Sequence, residues 1–185
     1  MHGSYSYSTR SGGLTLLELL VTLTVAGVLL GLAVPGFTNL WLDSQRTVAV
    51  NGLVHDIFLA RHATVSHGRP ASICASRDGL TCTNQTSDWQ LGWMVFLNLD
   101  QDDPPVRDDN EPILAVQAAW RGGSITSNRR SYSFRPIYNG VINGTVVFCD
   151  RRGSEHARAI VINNAGRPRI ATRDSDDRPL RCPFG

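Results

Sequence analysis

The sequence predicts an α+β fold: a long N-terminal helix, apolar in its first half and amphipathic in its second, packed on an antiparallel β domain. Three observations predict it. Leu14–Pro35 is a 22-residue apolar run with one charged residue, Glu18. Apolar residues then recur at near-helical spacing from Phe37 to Phe58, ahead of the stop signals Gly68 and Pro70. Beyond Pro70 the chain breaks into short apolar runs separated by Gly, Asn and Ser clusters, which is strand patterning.

The apolar run comes first. At about 1.5 Å per residue it spans roughly 33 Å as a helix, about one bilayer core. Residues 1–13 ahead of it are polar, carry only Arg10 and end in Gly12-Gly13. A secretory signal places its cleavage site after the apolar run, and Pro35-Gly36-Phe37 fits that poorly. The processing point lies before the run, so the apolar segment stays on the mature protein.

Gly13-Leu14-Thr15-Leu16-Leu17-Glu18 resembles the prepilin peptidase site of type IV pilins and pseudopilins. The resemblance implies cleavage between Gly13 and Leu14 and methylation of the new N-terminus at Leu14. Leu14 stands where Phe is usual, and Pro35 falls where that family often kinks its helix. Glu18 is the fifth residue after Gly13, the place of a glutamate in the family. A lone carboxylate in hydrocarbon demands a partner. The resemblance supplies one, the α-amino group of a neighbouring subunit, which sets axial register in a filament. A plain single-span anchor with Glu18 near the interface is the alternative. The implied partners are prepilin peptidase, other major and minor pilins, and the inner membrane before assembly, with the C-terminal domain periplasmic.

The division that follows is a leader over 1–13, a transmembrane part over 14–35, an amphipathic helix over 36–68 and a β-rich domain over 69–185. On the second helical part, Phe37, Leu40, Trp41, Val48, Leu53, Val54, Ile57 and Phe58 form the expected apolar face. Asp43, Gln45, Arg46, Asn51 and Asp56 form the expected polar one. Strands are expected at Ala71–Ala75, Gly92–Leu97, Glu111–Ala119, Tyr132–Arg135, Thr145–Cys149 and Ala157–Asn163. Arg167–Thr172 returns after the Asn163–Gly166 turn as a hairpin partner. The acidic stretch 98–111 reads as a loop, and Arg173–Gly185 as a polar tail.

Four cysteines allow three pairings. A domain outside the inner membrane meets an oxidising compartment, which favours disulfides. Cys74 and Cys82 flank a short turn-rich segment whose closure is easy, leaving Cys149 for Cys182. Zinc is the rival, but no Cys-x-x-Cys occurs and the histidines are scattered. No metal or other cofactor is expected.

Net charge is only +2, yet it is unevenly spread. Residues 71–119 hold two basic residues against eight acids, and residues 120–185 hold twelve against five. Every basic residue is Arg, a bias that a GC-rich genome suffices to explain. Cys74-Ala75-Ser76, Gly92–Phe96, the acidic loop, and Cys149-Asp150-Arg151-Arg152-Gly153 leading to Ala157–Ile162 resemble the GspH/FimT group of minor pilins and pseudopilins. Gly166-Arg167-Pro168-Arg169 resembles the Gly-Arg-x-Arg motif of FimT-type minor pilins, which is implicated in binding DNA during natural transformation.

The residues explain how such a segment could do so. Proline holds Arg167 extended. Arg167 and Arg169 then point to one face, about 6.6 Å apart. Two guanidinium forks at that spacing engage phosphates without regard to sequence, and salt weakens the contact. Arg173, Arg178 and Arg181 add candidate contacts from the tail; Arg129, Arg130, Arg151 and Arg152 are further ones. The plainer reading pairs these arginines with Asp174, Asp176 and Asp177. The acidic loop lacks the Gly of a calcium turn, carrying Pro104-Pro105 instead. No Gly-x-Ser-x-Gly or other nucleophile context occurs, and nothing argues for an enzyme. Two classes of function remain: a DNA-binding minor pilin, and a structural minor pilin or GspH-type secretion pseudopilin that primes filament assembly.

Overall fold

The computed structural model describes Gly13 and residues 15–83, 85–136 and 143–183. The expected leader, Gly13 apart, and the cleavage and methylation position Leu14 lie outside the described residues. The chain divides into two compact units, one through Trp41 and one from Leu42 onward.

Helix α1 runs over Leu16–His67. Thr15 caps it: its Oγ1 accepts the Glu18 backbone N–H at 3.2 Å. Glu18 in the first turn sits favourably against the positive end of the helix dipole. In the N-terminal unit, Leu16 to Val34 are all exposed. This helix is the one among the described residues long and apolar enough to cross a membrane, with mean hydropathy 2.3 over its best window. Such a surface calls for lipid or other helices around it.

In the second unit α1 buries a stripe of Leu42, Ala49, Val50, Leu53, Ile57, Ala60 and Ala63. The stripe differs from the expected apolar face. Leu53 and Ile57 are in the core and Val54 packs against it, but Phe37, Leu40, Trp41, Val48 and Phe58 are exposed. Arg46 and Asp56, expected on the polar face, are buried. Small alanines let the helix approach the sheets closely, and the two charges are tolerated because each is paired. Asp56 accepts the indole N–H of Trp93 at 2.8 Å.

Eight strands follow among the described residues: β1 Ala71–Ala75, β2 Gly92–Leu97, β3 Ile113–Ala118, β4 Gly123–Ser127, β5 Ser131–Phe134, β6 Gly144–Asp150, β7 Arg158–Ile162 and β8 Pro168–Ala171. They form two antiparallel sheets, β3-β2-β1-β5 and β4-β6-β7-β8. β4 has no counterpart among the expected strands: Gly-Ser-Ile-Thr-Ser carries one large apolar residue, Ile125, and reads as turn. Gly92 occupies φ +119°, where a Cβ would lie 2.4 Å from the Gln117 carbonyl oxygen. Only glycine lets β2 leave its preceding turn so close to β3.

One core joins the inner faces of both sheets to α1, with Ile73, Val95, Ile125, Phe134, Phe148 and Ile160 all inside it. Strands alternate, so each sheet also has an outer face. Cys74, Met94 and Phe96 lie outward on the first sheet, packed with Cys82. Cys149, Ala157 and Ala159 lie outward on the second, covered by Leu180 with Cys182 packed against them. The disulfides Cys74–Cys82 and Cys149–Cys182 fasten these two covers. Both faces of β1, β2 and β6 are therefore largely buried, which explains their near-continuous apolar sequences.

The acidic loop is not wholly solvated. Glu111 is buried and accepts the backbone N–H groups of Leu99 and Asp108. No metal-holding cluster of His, Cys, Asp or Glu occurs among the described residues.

Candidate functional site

The Gly-Arg-Pro-Arg segment forms the end of the β7–β8 hairpin. Asn163 Oδ1 accepts the N–H groups of Ala165 and Arg167, at 3.0 and 2.9 Å. The Gly166 N–H donates to the Asn163 carbonyl at 2.8 Å, with Gly166 at φ +68°. That left-handed backbone is open to glycine at no steric cost. Pro168, without an N–H, is tolerated because β8 is an edge strand.

Register decides where the arginines stand. Arg169 pairs with Val161, and Val161 in turn with Thr145. Val161 alternates with the core residues Ile160 and Ile162, so Arg169 belongs to the outer face of the second sheet. Arg167 lies two residues earlier, just before β8 begins, opposite Asn163, and is exposed. Neither guanidinium pairs with a carboxylate or makes a hydrogen bond among the described residues.

The tail arginines differ among themselves. A turn at Asp174–Arg178 is held by Asp174, whose carboxylate accepts the backbone N–H groups of Asp176 and Arg178, both at 2.9 Å. Arg178 pairs with Asp174 at 2.8 Å and with Asp176 at 2.5 Å. The Arg178 backbone N–H and guanidinium hold the Asp174 carboxyl below its ordinary range, and Asp174 raises Arg178. Arg173 donates to the Asp177 carbonyl at 2.7 Å. Arg181 is exposed and unpaired among the described residues. The plainer reading of paired charge thus describes Arg178, and in part Arg173, but not Arg167, Arg169 or Arg181.

Between β4, β6 and the disulfide-fastened tail runs an open cleft of about 710 Å³, with Thr126, Thr145, Arg178 and Arg181 among its lining residues. A second, of about 330 Å³, is lined by Arg169, Asn143, Asn163 and Asn164. Asn128 and Ser175 line both, so the two clefts adjoin. Arg129 donates to the carbonyl of Asn143 at the edge of the smaller one. Arg152 is turned elsewhere, bonded to Asp43 at 2.6 Å and to Asp150 at 2.7 Å. Asn128, Thr145 and Ser175 carried no signal in the sequence; they are uncharged, common residues that strand pairing and a disulfide bring together.

Residues 49–166 match the family described as type II transport protein GspH. The chain belongs to the GspH family. Residues 8–34 match the prokaryotic N-terminal methylation motif, which accords with pilin-type processing, membrane anchoring and assembly with other pilins. The GspH-family match ends at Gly166, so Arg167 and Arg169 lie just beyond it. Two crystal structures of the type IV minor pilin FimU of Pseudomonas aeruginosa PAO1 are similar to the chain, each with a TM-score of 0.49. One shares 17% identity over 68% of this chain and 91% of FimU; the other shares 20% over 75% and 96%. No curated protein matches.

Proposed function

We propose that this GspH-family chain is a minor pilin of a type IV pilus that holds DNA by its phosphates and so promotes uptake in natural transformation. The observation that carries the reading is the pair Arg167 and Arg169, unpaired with any carboxylate among the described residues and set on an ordered hairpin end. The turn holds the backbone that carries them, and guanidinium groups form bidentate contacts with phosphate. From the tail Arg181 contributes free charge, whereas Arg178 is paired with Asp174 and Asp176 and Arg173 in part with Asp177. Gly166 shapes the turn that presents Arg167.

The N-terminal unit supplies processing and assembly. In this reading prepilin peptidase cuts between Gly13 and Leu14, Leu14 is methylated, and the apolar helix anchors the subunit with its β domain in the periplasm. Glu18 has no ion-pair partner among the described residues. A neighbouring subunit's α-amino group completes it.

The family match itself favours a second reading, a structural minor pilin or type II secretion pseudopilin without affinity for DNA. A gel shift of the full chain in detergent separates the two. The proposal expects binding that weakens steeply with salt and that is lost in Arg167→Gln/Arg169→Gln. No binding by the parent at low salt overturns it in favour of the structural subunit.

A further inference from the structure

We infer that the phosphodiester backbone of the bound nucleic acid lies along the joined clefts on the outer face of the second sheet, over Asn128 and Ser175, with Arg169 at one end and Arg181 at the other. This rests on the DNA-binding reading above and extends it to residues outside the Gly-Arg-Pro-Arg segment.

Charge and donor chemistry support it. Arg169 and Arg181 are the lining arginines with no carboxylate partner among the described residues; the third, Arg178, is neutralised by Asp174 and Asp176. Between them stand neutral donors. Asn128 Oδ1 is already occupied by the Thr145 backbone N–H at 2.9 Å. That leaves the Asn128 Nδ2 amide as a donor pair directed away from the strand. The Ser175 hydroxyl is exposed and makes no hydrogen bond among the described residues. Beneath them the buried Thr145 hydroxyl has no hydrogen-bond partner among the described residues. A cleft with spare donors and unpaired cations at both ends suits a chain of phosphates.

The described lining suits contact with phosphate and sugar better than stacking on bases. No aromatic side chain is among the described residues that line either cleft. Nucleic-acid surfaces that grip bases present aromatic platforms. This one presents arginine, amide and hydroxyl groups, which contact phosphate and sugar and carry no sequence information; its one carboxylate among the described residues, Asp174, is paired with Arg178. Arg178 and Asp174 serve as the wall: their ion pair fixes the turn that places Ser175.

Three variants of the full chain in detergent test this, titrated with labelled duplex and single-stranded DNA at several salt concentrations. Asn128→Asp keeps the acceptor that caps the Thr145 N–H but sets a negative oxygen where the donor stood. It should weaken binding about tenfold or more, because like charges at contact are repelled strongly. Arg181→Gln should reduce the slope of log affinity against log salt by about 0.9 for duplex or 0.7 for single strands. Arg77→Gln, exposed and remote from the clefts in sequence and sheet, should leave that slope unchanged. Melting temperatures of all three should match the parent. If Asn128→Asp and Arg181→Gln bind as the parent does while Arg167→Gln/Arg169→Gln fails, the cleft is not the path and the motif reading stands. If the parent itself does not bind, both fall.

Discussion

Arg46 Nη1 and Asp150 Oδ2 lie 3.0 Å apart across 104 residues of sequence, buried between the helix and the end of β6. Around this contact, Asp43 accepts from both Arg46 and Arg152, at 2.7 and 2.6 Å. Asp150 also accepts from Arg152, and Arg46 donates to the carbonyl of His156. Two arginines and two aspartates thus neutralise one another and lock helix, strand and the following turn together. The network also removes Arg152 from the surface charge.

Replacing one member leaves buried charge uncompensated. Asp150→Asn should destabilise the domain by about 3 kcal/mol or more, seen as a lower urea midpoint. An unchanged midpoint would mean that water reaches Arg46 and satisfies it.

Acid should act through the same carboxylates. At Asp150 burial pushes the carboxyl upward, but hydrogen bonds from Arg152 and the charges of Arg152 and Arg46 outweigh it, so its pKa falls below the ordinary 3.8. The Arg152 hydrogen bond likewise lowers Asp43. At Asp78 the Leu80 backbone N–H leads a set of hydrogen bonds with the same effect. Groups with depressed folded values contribute stability above their unfolded pKa and lose it as pH falls through the folded value. Thermal stability should therefore be flat from neutrality to about pH 5 and decline below about pH 4, less steeply in Asp150→Asn.

The Cys149–Cys182 bridge, closed across 33 residues, keeps Leu180 on the outer sheet face. Cys149→Ala/Cys182→Ala should cost about 2–4 kcal/mol. Trypsin should then cut after Arg173 and Arg181 well before the rest of the domain, as read by mass spectrometry; Pro179 protects the bond after Arg178. A tail cut no faster than in the parent would show that Leu180 alone holds it.

The left-handed turn at Gly166 should resist side chains. Gly166→Val should lose about 1–2 kcal/mol in a melt. If the hairpin end presents Arg167 to DNA, the same variant should also bind DNA more weakly in a gel shift, even where it is fully folded.

Much of the fold was legible because local rules were strong. β1 and β2 follow the expected bounds, Ala71–Ala75 and Gly92–Leu97, since their apolar runs are dense and glycine or proline punctuates them. The helix ends at His67, where Gly68 at φ +63° stops it. β4 was illegible: it is a strand because β6 pairs with it along its whole length, a long-range fact. The helix face was misread for a similar reason. Arg46 and Asp56 look like surface residues until Asp150 and Trp93 arrive from distant strands to pair with them. In the candidate site, Arg167 and Arg169 stood out by motif and charge. Nothing local distinguished Asn128 or Ser175.

By itself, then, the sequence determined the apolar N-terminal helix, the N-terminal methylation motif, the β-rich remainder and its arginine excess. Each is a property of neighbouring residues, set by hydropathy, spacing and backbone preference. Tertiary structure alone decided which arginines are free. Arg152 and Arg178 are neutralised by aspartates, while Arg167, Arg169 and Arg181 have no carboxylate partner among the described residues. Charge pairing acts through space, over a few ångströms, and chain position does not reveal which residues the fold will bring that close.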